Sequence, residues 1–103
     1  MVWYVYIAYF FAGAFLANSV PHFVSGMSGR KFPTPFAHPP GRGLSTPLAN
    51  VLWGFANFVI GYILLTAVGS FAIGLTFDSL ALLLGMILIA VQSSITFGRL
   101  KND

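Results

Sequence analysis

The side chains that could bind a ligand are a few amides and one histidine, set in long apolar stretches. Asn18 and His22 are four residues apart, so on a helix they lie on the same side. Asn50 and Asn57 are seven residues apart and share a helical face in the same way. Hydrocarbon makes a polar side chain costly, so each one indicates a hydrogen-bond partner or a function. We predict a polar crevice lined by Asn18, His22, Asn50, Asn57 and Gln92.

Two interpretations of this crevice stay open. Small residues let helix backbones approach each other, and amides between helices then hydrogen-bond in a purely structural role. Alternatively, the crevice opens to the cytoplasm beneath a proline-rich loop and accepts an anionic head group or a small anion. The candidates for helix packing are Gly54, Gly61, Ala81 and Gly85. The candidates for lipid or anion contact are Arg30, Lys31 and Arg42.

Metal and haem chemistry have few candidate ligands in this chain. A metal site needs three or four ligands, and only His22, His38, Asp78 and Asp103 supply imidazole or carboxylate groups. Haem held by two histidines would require His38 to return into the membrane. We expect no metal and no cofactor, and we interpret His22 as a hydrogen-bonding residue near the end of its helix.

Enzyme motifs are excluded mainly by composition. The sequence has no cysteine and no glutamate, no glycine-rich phosphate loop with its lysine, and no Gly-x-Ser-x-Gly elbow. We expect no catalytic residue and no enzymatic activity. The net charge of +3 comes from five cations divided between one loop and the C-terminal tail, so it forms no basic face for nucleic acid.

The elements that position these residues are three apolar stretches. With 57% hydrophobic and 7% charged residues, the chain lacks the polar atoms that a water-soluble surface needs. We predict an all-α integral membrane protein, a single domain over 1–103. Its helices cover about 2–24, 47–73 and 79–97, and a Pro/Gly-rich loop covers 25–46. We expect the first stretch to be a retained helix, since it lacks the basic start and the cleavage site of a signal peptide.

Local residues predict where the second and third helices begin and end. Thr46 followed by Pro47 is a typical helix start. Gly74 is a plausible stop for the second helix, and Asp78 is a candidate N-cap for the third, which Gly98 would end. The connection between these two helices is then short. We therefore expect them to form a tight antiparallel hairpin.

The cations predict the orientation. Arg30, Lys31 and Arg42 lie in the loop, and Arg99 and Lys101 follow the third helix. Three crossings place the loop and the C-terminus on one side, and the positive-inside rule makes that side cytoplasmic. We expect the N-terminus outside, in a bacterial inner (plasma) membrane.

The loop contains an apolar, stiff motif from Lys31 to Phe36, in which two phenylalanines flank two prolines. A long irregular connection is either a working element or a linker. We favour a loop docked on the helix ends over an extended polyproline-like spacer.

Three functions remain. The first, which we favour, is a non-catalytic accessory or stabilising subunit of a larger membrane complex. The second is a homo-oligomeric channel or carrier with a crevice open to the cytoplasm. The third is an anionic-lipid-binding membrane protein. The expected partners are the bilayer, other membrane subunits or further copies of this chain, and an anionic lipid head group.

Overall fold

Three long apolar helices make up most of the chain. A computed structural model describes the backbone of residues 2–102 and the side chains of residues 2–100. The helices are α1 (Tyr4–Met27), α2 (Pro47–Thr66) and α3 (Phe77–Asn102). At 1.5 Å per residue they are about 30 to 39 Å long, and each is apolar enough to cross a membrane. The prediction of an all-α chain with three helices fit to span a bilayer is confirmed. The side chain of Lys101 and all of Asp103 lie outside the described residues.

α1 continues to Met27, beyond the predicted end near residue 24. Pro21 lies inside it. Membrane helices tolerate an internal proline because neighbouring groups satisfy the freed backbone atoms. The helix ends in a Schellman motif: Gly29 has a φ of +72°, and the Arg30 N–H donates to the Ser25 carbonyl at 2.9 Å. A glycine at this position takes the left-handed conformation without a Cβ clash.

α2 begins where the sequence predicts. The Thr46 side chain accepts a hydrogen bond from the Ala49 N–H at 3.1 Å, and Pro47 is the first helical residue. The helix ends at Thr66, however, and the predicted end near Ile73 is wrong.

The early end of α2 has a packing cause. Residues 67–76 fold over the N-terminal part of α1, and Gly69 lies so close that a Cβ there would be 2.8 Å from the Tyr9 hydroxyl oxygen. The Phe71 ring meets the Tyr9 ring edge-on, with their centroids 5.0 Å apart. Tyr9 is thereby buried. Covering this large side chain stabilises a non-helical connection.

α3 starts two residues earlier than predicted, and its cap is Thr76 rather than Asp78. The Ser79 N–H donates to the Thr76 hydroxyl oxygen at 3.1 Å. Asp78 lies in the first turn, where its carboxylate accepts from the Ala72 N–H at 2.9 Å. Gly98 does not end the helix. An internal glycine costs only about 1 kcal/mol relative to alanine, which the rest of the helix outweighs.

α1 is the centre of the bundle. Within residues 2–102, the extensive helix contacts are those of α1 with α2 and of α1 with α3. The predicted tight hairpin of the second and third helices is therefore replaced by two separate contacts with α1. The physical reason is that Gly54 and Gly61 of α2 and Gly85 of α3 all face α1.

The backbones of α1 and α3 approach each other more closely than those of α1 and α2. A Cβ on Gly85 of α3 would overlap the Phe10 carbonyl oxygen of α1. A Cβ on Gly13 of α1 would overlap the Leu82 carbonyl oxygen of α3. Only glycine permits this separation at either position.

The contact between α1 and α2 uses Gly54 and Gly61. A Cβ on Gly54 would be 2.8 Å from the Phe23 backbone nitrogen, and one on Gly61 would be 2.8 Å from Leu16 Cγ. Both distances are too short for a real side chain. The fourth packing candidate, Ala81, is half-buried on α3 beside Tyr6 of α1.

The connection between α1 and α2 folds into a compact structure that we call the loop hairpin (residues 28–46). Strands β1 (Phe32–Pro33) and β2 (Leu44–Ser45) pair antiparallel. Phe32, Thr34 and Ala37 are buried, and the hydroxyl oxygens of Thr34 and Ser45 are 2.5 Å apart. The loop is therefore docked, as favoured above, and is not an extended spacer.

Candidate functional site

The loop hairpin covers one end of the bundle, which we call the loop end. There α1 finishes, α2 begins, and α3 completes its last turns. A buried hydrogen bond joins two of the predicted crevice residues: His22 Nδ1 of α1 lies 2.9 Å from Asn50 Oδ1 of α2. His22 is 3% exposed and Asn50 is 0% exposed.

Asn50 also binds the loop hairpin to the helices. Its Nδ2 donates to the carbonyl oxygens of Phe32 at 3.0 Å, Thr46 at 3.1 Å and Ser45 at 3.3 Å. Because the amide nitrogen faces these carbonyls, Oδ1 is the acceptor, and His22 donates to it from Nδ1. One side chain thus connects α1, α2 and both strands.

Aromatic rings close the loop end around His22. The Phe32 ring of β1 lies edge-on to His22 with centroids 5.3 Å apart, and it packs on Phe97 of α3 at 4.7 Å. The Phe97 and His22 rings are 6.4 Å apart. Aromatic pairs at these separations add stability beyond their buried area. Phe32 therefore joins the loop hairpin to α1 and α3.

A second polar pair lies farther into the bundle, one helical turn from His22 on α1 and two turns from Asn50 on α2. Asn18 Nδ2 of α1 donates to Asn57 Oδ1 of α2 at 3.0 Å. Asn57 Nδ2 in turn donates to the Trp53 carbonyl of its own helix at 2.8 Å. Asn57 is 1% exposed. The two pairs, Asn18 with Asn57 and His22 with Asn50, form one ladder between α1 and α2.

Gln92 does not join this ladder. It is exposed on α3, where its Nε2 donates at 3.1 Å to the hydroxyl of Thr96 on the same helix. The structure therefore brings together four of the five predicted crevice residues, which bond directly in two pairs.

The loop cations separate into two groups. Lys31 and Arg42 line a groove of about 270 Å³ between the loop hairpin and the end of α3, which we call the cationic groove. Arg30 is exposed and does not line it. The other lining residues are Phe32, Pro33, Leu44, Phe97 and Leu100.

Sequence reasoning missed Phe97 and Leu100, since nothing local indicates that the end of α3 meets the loop. It also missed Gly13, although Gly13 and Ala17 are small residues four apart, a spacing typical of close helix contacts in membranes.

Among the described residues, no group of three or more histidine, cysteine or acidic side chains could hold a metal ion. His38 is exposed, and the Asp78 carboxylate accepts from the Ala72 N–H in the connection between α2 and α3. Comparison with protein-family models, curated proteins and solved structures finds no match to this chain.

Proposed function

We propose that this chain is a non-catalytic subunit that stabilises a larger membrane assembly, with α3 binding a helix of another chain or of a further copy. The observation that carries the proposal is the exposed amide of Gln92. Its Nε2 bonds only within α3, and among the described residues its Oε1 has no partner.

The depth of Gln92 makes this exposure costly. Gln92 lies seven positions before Arg99, which corresponds to about 10 Å along the helix axis. With Arg99 at the head groups, Gln92 lies inside the hydrocarbon. An amide that faces lipid gains when it hydrogen-bonds to a neighbouring helix, by about 0.6 to 2 kcal/mol.

The rest of α3 also supports association. Its most hydrophobic stretch is only 6% buried within the chain, against 28% for α1. A recess of about 710 Å³ beside α1 is lined by small and apolar residues, including Ala17, Ala90 and Ser93. Such a recess can accept the side chains of another helix. The surface that binds the partner would then be the exposed side of α3.

The hydrogen-bond ladder favours this role over a channel or carrier. A pathway needs polar side chains that face water. His22, Asn50 and Asn57 instead are buried. His22 bonds Asn50, and Asn57 accepts from Asn18, so both bonds join α1 to α2. Their geometry supports helix packing within the chain, and we do not propose a transport function.

Gln92→Leu is expected to weaken association in membranes roughly 3- to 30-fold, because it removes the interhelical hydrogen bond. The measurement is photocrosslinking from a reactive residue placed at Leu88, one turn away on the same helix. Its yield should fall in Gln92→Leu and stay constant in Ile95→Leu, a control on the exposed surface.

A second photoreactive residue at Leu52, exposed on α2, tests whether crosslinking is specific to α3. Equal yields from Leu52 and Leu88, unaffected by Gln92→Leu, would contradict the proposal. So would the absence of any crosslinked species from Leu88.

We also propose that the loop end faces the cytoplasm, as in a bacterial inner membrane. All cationic side chains that the structure describes lie at this end, namely Arg30, Lys31, Arg42 and Arg99. Asp78 lies at the opposite end. This distribution follows the positive-inside rule.

A reporter enzyme fused to the C-terminus tests the orientation. A cytoplasmic reporter should be active and a periplasmic reporter inactive, and a fusion within the loop hairpin at Gly41 should behave in the same way. The opposite pattern at the C-terminus would reverse the proposed orientation.

A further inference from the structure

The cationic groove carries two positive charges on the same side of the loop hairpin. Pro33 of β1 pairs with Leu44 of β2, so these two residues face the same side. Lys31 and Arg42 each lie two residues before one of them, and both line the groove together with Pro33 and Leu44. Arg42 lies in the turn that precedes β2, where its N–H donates to the Pro39 carbonyl at 3.1 Å. The two cations share a site because both residues line the same groove.

These cations are not neutralised within the described chain. Neither the Lys31 side chain nor the Arg42 side chain has a hydrogen-bond or ion-pair partner among the described residues. The sequence contains only two acidic residues. Asp78 binds Ala72 at the opposite end of the bundle, and Asp103 lies outside the described residues. The groove therefore has a net positive field that attracts anions.

The position of the groove favours an anion that belongs to a membrane. The groove lies where α3 leaves the apolar region, and its floor is the apolar surface of Phe97 and Leu100. Leu44 of the loop hairpin, which lines the groove, is 63% exposed. Cations beside exposed apolar side chains at a helix end are typical of contact with anionic lipid head groups.

The size of the groove sets how much of a ligand it can hold. A volume of about 270 Å³ is below the roughly 300 to 1,000 Å³ of pockets that bury a whole drug-sized ligand. It suits a head group whose acyl chains stay outside. We propose that the cationic groove binds one anionic phospholipid, with its phosphate between Lys31 and Arg42 and its chains beside α3 in the bilayer.

Each cation contributes in a distinct way. Arg42 presents a planar guanidinium that can donate two parallel hydrogen bonds to phosphate oxygens, whereas Lys31 contributes a compact charge. Phe97 and Leu100 contact the glycerol and the first methylenes. This site is independent of Gln92 and of the proposed partner of α3.

The test measures lipid binding to the purified chain by native mass spectrometry. The probes are phosphatidylglycerol and phosphatidylcholine with identical acyl chains. Wild-type protein is expected to retain one phosphatidylglycerol in preference to phosphatidylcholine. The variant with Lys31→Gln and Arg42→Gln is expected to lose roughly 30-fold in affinity for phosphatidylglycerol, because each cation near the surface contributes about a fivefold gain.

The matched control removes the same charge outside the groove, through Arg30→Gln and Arg99→Gln. Both residues are exposed and neither lines the groove. The control should keep its preference for phosphatidylglycerol. An equal loss in both double variants would overturn the site in favour of diffuse electrostatic attraction. An unchanged affinity in the groove variant would also overturn it.

A third arm separates a lipid site from a site for a soluble phosphate. Glycerol phosphate, added at the same concentration as the lipid, should not displace phosphatidylglycerol, because it lacks the acyl chains. Displacement would overturn the lipid as occupant. Circular dichroism of every variant should show the wild-type melting temperature, since the four substituted side chains form no hydrogen bond or ion pair with the described residues.

Discussion

Replacing Asn50 by leucine should open the loop end and lower the free energy of unfolding by on the order of 3 kcal/mol. The substitution leaves the His22 ring nitrogen and the Phe32 carbonyl without their bonds to Asn50. A buried polar group that loses its partner costs about 1 to 3 kcal/mol. Because the same side chain bonds both strands, the loop hairpin should also detach.

Two measurements test the Asn50→Leu result. Unfolding is followed by circular dichroism in a detergent titration, and trypsin reports the loop hairpin through cleavage after Arg30, Lys31 and Arg42. Asn57→Leu is the matched control, since it removes one amide from the same ladder without touching the loop hairpin. It should cost about 0.6 to 2 kcal/mol and leave trypsin cleavage unchanged. Identical behaviour of the two variants would contradict the central role of Asn50.

The second large effect is expected for Gly85→Ala, which should push α3 away from α1. The added Cβ would overlap the Phe10 carbonyl oxygen, a backbone atom that cannot rotate out of the way. Overpacking of this kind typically costs 1 to 3 kcal/mol. Gly98→Ala is the control on the same helix, because no atom lies within 4 Å of its added Cβ. It should leave stability unchanged or raise it by up to about 1 kcal/mol.

Helix separation can be measured directly, because the chain has no cysteine of its own. Spin labels at Ile7→Cys of α1 and Leu83→Cys of α3 are both on exposed positions. Their distance should lengthen and broaden in Gly85→Ala and stay as in wild type in Gly98→Ala. If the distance between the labels is unchanged in Gly85→Ala, the close backbone approach at Gly85 does not determine the position of α3 against α1.

The parts of this fold that could be predicted from the sequence depend on local chemistry. The start of α2 follows from Thr46 and Pro47, which act within one helical turn. The three apolar stretches follow from composition and length. The end of α2 could not be predicted, because it is decided by Tyr9, which is distant in sequence and becomes buried only when residues 67–76 cross over it.

In the candidate site, too, the sequence predicted features that depend on local spacing and did not predict contacts between distant residues. Spacing alone placed Asn18 and His22 on one helical side and indicated that they need partners. It could not assign Asn57 and Asn50 as those partners, nor show that Gln92 faces away, since apolar helices offer few features that select one neighbour. Likewise, Gly85 was identified as a packing residue, while its contact with α1 depends on the arrangement of all three helices.

The central position of α1 has a consequence for how the protein is made. During synthesis, the first two segments can settle against each other and complete their network of buried amides before the ribosome has produced α3. α3 is synthesised last and then packs on a pair of helices that is already folded. Its contacts there are the surface around Gly13 and the ring of Phe32. The helices can thus fold in the order in which they are synthesised, because the contact between α1 and α2 does not require α3.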